Sequence, residues 1–161
     1  EFSQTTIGPD IYDEYRIKGI GCLASVASLS IETLSLEEQS KNLGQLLVDF
    51  SNEDISCWHL HSQPGELRLI ISQHDLIKSQ QIVAKHFQPP AVETYSAMIS
   101  LVGNGTEQQQ MALFEEISNK WEFELLSKSP HSVRLLAKVN DIKSILVEMS
   151  KCYNLCNTLH Q

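Results

Sequence analysis

The sequence predicts an α+β fold made of two copies of one unit, each running strand–helix–strand–strand–helix. Three observations predict it. Stretches such as "ASLSIETL" alternate apolar and polar residues, the period of a strand with one buried face. Between them lie segments with apolar residues at helical spacing, such as Ile142, Ile145, Leu146, Met149 and Tyr153. The order of these segments then recurs roughly 67 residues further on, which marks a repeated structural unit. A chain of 161 residues, 42% apolar, can hold one ordinary domain or two small ones sharing a core.

Residues 1–15 are polar, contain Pro9 and read as a linker or frayed lead-in. "YRIKGIGCL" follows as a spare strand-like segment over 16–24. In "ASLSIETL", Ala27, Leu29 and Ile31 share one face and Ser28, Ser30 and Glu32 the other. Leu36, Leu43, Leu47 and Phe50, with Leu46 beside them, predict a helix. "ISCWHLHS" and "ELRLIIS" read as a hairpin turned at Gln63-Pro64-Gly65. Asp75 is placed to cap a second helix, "LIKSQQIVAKHF", which stops before Pro89-Pro90. "AVETYSA" supplies a closing strand.

The second copy spans 97–158, against 25–96 for the first. "AMISLVGN" matches "ASLSIETL", and Met111, Phe114, Ile117 and Trp121 suggest the next helix. "FELLSKSPHSVRLLAKV" gives a second hairpin, in which Pro130 and Arg134 echo Pro64 and Arg68. Asn140-Asp141 opens the last helix. Strand–helix–strand–strand–helix with a closing strand is the ferredoxin-like βαββαβ pattern, with antiparallel sheets. No good strand follows Tyr153, so residues 16–24 are expected to complete the second unit, which intertwines the two repeats.

Charge narrows the function. The net charge is −8, acids outnumber bases 20 to 12, and no basic cluster interrupts that balance. Nucleic acid and anionic membranes, both bound through Lys and Arg, are therefore not expected partners. No apolar run approaches the ~20 residues that span a bilayer. The four scattered cysteines, Cys22, Cys57, Cys152 and Cys156, do not form a secreted disulfide framework. A reduced, cytoplasmic setting is the simplest reading.

Several stretches carry possible chemistry. Gly103-Asn104-Gly105 stands between a strand and a helix, where flexible backbone amides suit a ligand's carboxylate or simply make a tight turn. His59 and His61, two apart in a strand, share a face as a metal half-site does. Cys152, Cys156 and His160 line one side of a helix, yet neither group completes a convincing ligand set. No metal or cofactor is expected. Ser, His and Asp abound without a nucleophile-elbow context, and Glu37-Glu38 and Glu115-Glu116 read as solvated helix faces. No catalytic residue is expected.

"MISLVGNG" over 98–105, a helix, "FELLSKSPHSVRLLAKV" and a final helix together resemble the second ACT domain of bacterial aspartate kinases. "IKGIGCL" is similar to the strand joining that family's kinase domain to its paired ACT domains. The resemblance runs from about Arg16 to Leu155 and rests mainly on the order of elements. It implies a tandem ACT module that binds an end-product amino acid, of the lysine or threonine class, and restrains a kinase. It further implies a homodimer formed through ACT sheets or helices, and a kinase domain on the same or a partner chain. Nothing in the sequence looks like the family's catalytic lysine-phenylalanine-glycine-glycine-threonine-serine stretch, which implies a C-terminal fragment or a separate regulatory subunit.

The effector is expected where a strand-one–helix-one loop faces the end of a second strand. Backbone amides near Ser40-Lys41 or Asn104-Gly105-Thr106 would take its carboxylate. Oxygen acceptors for its ammonium would come from Glu38, Gln39, Ser62, Gln63, Ser127 and Ser129. The pattern departs from the family at Lys41, near a usual glycine, and at Trp58, where lysine-sensing members place an aspartate. Gln63-Pro64 likewise replaces a common serine-glutamate pair. Those departures favour the alternative, a structural dimerisation module whose effector sites have decayed.

Overall fold

The computed structural model describes residues 17–103 and 119–152. They form six strands and three α-helices: β1 (Ile17–Glu32), α1 (Leu36–Asn52), β2 (Cys57–Gln63), β3 (Glu66–Ser72), α2 (Leu76–His86), β4 (Ala91–Gly103), β5 (Phe123–Ser129), β6 (Ser132–Ala137) and α3 (Ile142–Cys152). The class is α+β with antiparallel strand pairing. By contacts the described residues fall into two units, one of 22–98 with 136–140, the other of 17–21, 99–103, 119–135 and 141–152.

In the larger unit the strands run β2-β3-β1-β4. β1 pairs with β3 from Val26 opposite Ser72 to Glu32 opposite Glu66, and β2 pairs with β3 up to Gln63 opposite Glu66. That register puts Ala27, Leu29, Ile31, Leu67, Leu69 and Ile71 on one face, where they meet Leu46, Phe50, Ile82 and Val83 of the helices in a single buried cluster. Each Leu, Ile, Val or Phe among them contributes about 1.5–3 kcal/mol when removed from water, so this face holds the unit together. α1 buries Gln39, Leu46 and Phe50, with Leu43 packed beside them, whereas Leu36 and Leu47 are exposed. The apolar pattern of the helix is therefore wider than the stripe it buries, and one of the buried positions is a glutamine.

In the smaller unit, Ile17, Ile99, Leu101, Val133, Leu135, Ile145 and Met149 are all buried. The Gly103 N–H donates to the His131 carbonyl at 3.0 Å, tying the end of β4 to the β5–β6 turn. Asp141 Oδ1 accepts the Ser144 N–H at 3.1 Å and its other oxygen takes the Ser144 hydroxyl, so a side-chain cap opens α3. Those two hydrogen bonds hold the Asp141 carboxyl below its usual range.

Two expected strand pairs are single strands. The segments expected at 16–24 and from Ala27 onward form one 16-residue strand, and "AVETYSA" runs without a break into "AMISLVG". No Gly or Pro punctuates either junction. The helix expected around Met111, Phe114 and Ile117, and the groups Asn104, Gly105, Thr106, Tyr153, Cys156 and His160, lie outside the described residues. Trp121 is described and is not helical; its ring meets Phe123 edge-on with centroids 6.3 Å apart.

Candidate functional site

One concavity of the larger unit lies where β1 turns into α1. The turn is pinned from both sides. The Thr33 N–H donates to the Gly65 carbonyl at 3.0 Å, and Ser35 Oγ accepts the Glu38 N–H at 3.2 Å as the N-cap of α1. Gly65 holds φ at +87°, a left-handed conformation that glycine adopts without strain, so the β2–β3 turn presents its carbonyl to Thr33.

One turn into α1, Gln39 is 1% exposed. Its Nε2 donates to Ser62 Oγ at 2.9 Å and to the Glu66 carbonyl at 3.1 Å, fastening the helix to both strands of the hairpin. A carbonyl only accepts, so the amide nitrogen must face Glu66 and the orientation of the group is fixed. Gln39 Oε1 and Thr33 Oγ1 are then buried without a hydrogen-bond partner. Leaving a buried polar atom unpaired costs about 1–3 kcal/mol, so each is expected to take a water, an ion or another partner.

Both residues line a cavity of about 290 Å³, together with Glu32, Leu34, Glu38, Lys85, His86, Phe87 and Gln88. The far wall is the end of α2. His86 Nε2 lies 2.8 Å from Asp49 Oδ2, and Asn42 Nδ2 donates to the His86 carbonyl at 2.9 Å, so α1 grips that end firmly. Leu34, 94% exposed, stands at the rim.

Of the expected site residues, the fold joins Gln39 to Ser62 and places Glu38 and Gln39 on the cavity. The others it employs elsewhere or leaves apart. Ser40 Oγ donates to the Leu36 carbonyl one turn back, and Lys41 is exposed on the same helix. Gln63 Nε2 donates to Glu66 Oε2 at 2.8 Å across the hairpin. In the smaller unit Ser129 Oγ accepts the Ser132 N–H at 3.1 Å and shapes the β5–β6 turn, while Ser127 lies on β5. Asn104, Gly105 and Thr106 are outside the described residues. Sequence reasoning missed Thr33, Lys85, His86 and Phe87. The signal available for them was weak: an α2 end fixed by Pro89-Pro90, which on a ferredoxin-like path returns to the start of α1.

The other chemistry-bearing groups discussed in the sequence lie outside this cavity's lining. His59 and His61 sit opposite Ile70 and Arg68 and so share a face of β2. Among the described residues no three His, Cys, Asp or Glu side chains cluster to hold a metal. Burial pushes the Cys57 thiol up, the opposite of what a nucleophile needs. On the other face of the sheet Arg68 Nε donates to Ser28 Oγ at 2.8 Å, and Tyr95 OH donates to Glu93 Oε2 at 2.8 Å. Lys138 pairs with Glu93, and these contacts, Lys138 first, lower the Glu93 carboxyl below its ordinary range. No helix among the described residues is long and apolar enough to cross a membrane.

Neither a protein-family model nor a curated protein matches the sequence. Solved structures do match the fold. Aspartate kinase from Clostridium acetobutylicum is 17% identical with a TM-score of 0.69, over 90% of this chain and 37% of that one. The ligand-free regulatory subunit of aspartate kinase from Thermus thermophilus is 10% identical with a TM-score of 0.58, over 76% of this chain and 87% of that one. E. coli aspartokinase III in complex with lysine and aspartate is 14% identical with a TM-score of 0.60, over 85% of this chain and 33% of that one. The chain has the fold found in these aspartate kinases and spans about a third of the length of the whole kinase chains.

Proposed function

We propose that this chain is the tandem ACT regulatory module of an aspartate kinase, with two intertwined ferredoxin-like units. In this reading it binds an end-product amino acid of the lysine or threonine class and passes that binding to a kinase domain, on the same or a partner chain. The control is allosteric feedback on the phosphorylation of aspartate. One observation carries most of the weight. The chain accounts for 87% of a free-standing regulatory subunit but only 37% of a whole kinase, the coverage expected of a regulatory part. The pinned β1–α1 turn, with the buried Gln39 bonded to Ser62, supports a ligand-reading role at the first repeat.

The test is a thermal shift of the 161-residue chain with lysine, threonine and methionine in turn. A ligand bound only by the folded state adds about 2.7 kcal/mol at a hundredfold excess over its dissociation constant. At this chain length that is a rise of several degrees. A flat response to all three amino acids would remove the sensing role. Trp58, 46% exposed on β2 where lysine-sensing kinases of this resemblance place an aspartate, favours a second reading, a dimerisation module with decayed effector sites. That reading expects the flat response together with a stable dimer.

A further inference from the structure

We draw no further inference here: the strongest candidate, the His59 and His61 pair on one face of the outer strand β2, gains no third metal ligand among the described residues, and nothing in the structure shows what covers that edge.

Discussion

Gln39 and Ser79 are wholly buried and each carries an unpaired polar atom, and their surroundings tell them apart. Gln39 lines a cavity and fastens α1 to the hairpin through its other amide atom. Ser79 does neither: it is fully buried on α2, its hydroxyl has no partner, and it borders no cavity described above. The repeat supplies the comparison, because the residue 66 positions on, in α3, is the buried Ile145. An apolar side chain is what that helix position holds in the second copy. Ser79→Ala removes the unpaired hydroxyl and also gains helix propensity, so it should stabilise the protein by about 1 kcal/mol. The melting temperature would rise by about 2–4 °C, with the urea m-value unchanged. A loss of stability instead would mean that the hydroxyl is paired in solution.

The hairpins and the helices after them were the most legible elements, and the structure explains why. β2 and β5, β3 and β6, and α2 and α3 each begin 66 residues apart, at Cys57 and Phe123, Glu66 and Ser132, and Leu76 and Ile142. The burial of Leu67, Leu69, Ile70 and Ile71 is repeated by Val133, Leu135, Leu136 and Ala137. Alternation and turn residues are local, so they survive in a single sequence. Where one strand ends and the next begins is not local when both lie end to end on one ladder, and β1 was read as two strands for that reason. The cavity was half legible: Glu38 and Gln39 could be placed near it from their helix, but its α2 wall comes from a segment some 50 residues away. A trace of the division in β1 persists at Ser25, whose φ of +56° is left-handed inside an otherwise extended strand. A branched side chain is strained there and glycine is not. Ser25→Val should therefore cost about 1–2 kcal/mol, while Ser25→Gly should be close to neutral. Chemical denaturation of both variants checks the order, and equal stabilities would mean that Ser25 relaxes to an ordinary strand conformation.

At the scale of the whole molecule the question is what meets the edge strands. In the larger unit β2 ends the strand order, so one side of its backbone lacks a ladder partner within the unit. Proteins blunt such edges with charge, bulges or a covering partner. β2 has a bulge between Cys57 and His59, at Trp58, but from Cys57 to Gln63 it carries no Lys, Arg, Asp, Glu or Pro. Trp58 is 46% exposed and Leu60 37%, an apolar pair on an edge that ordinary solvation does not favour. A second copy of the chain is the occupant that the resemblance to paired ACT modules implies, and two-fold pairing is the commonest oligomer symmetry. The chain should therefore sediment at micromolar concentration as a species of twice 18.1 kDa. Trp58→Glu would place a charge at the joint and should move the equilibrium toward monomer by tenfold or more, since desolvating an unpaired carboxylate costs several kcal/mol. Its fold should persist, because Trp58 is outside the buried cluster. A clean monomer for the unaltered chain would rule out self-association through β2, and a dimer indifferent to Trp58→Glu would move the contact to another surface.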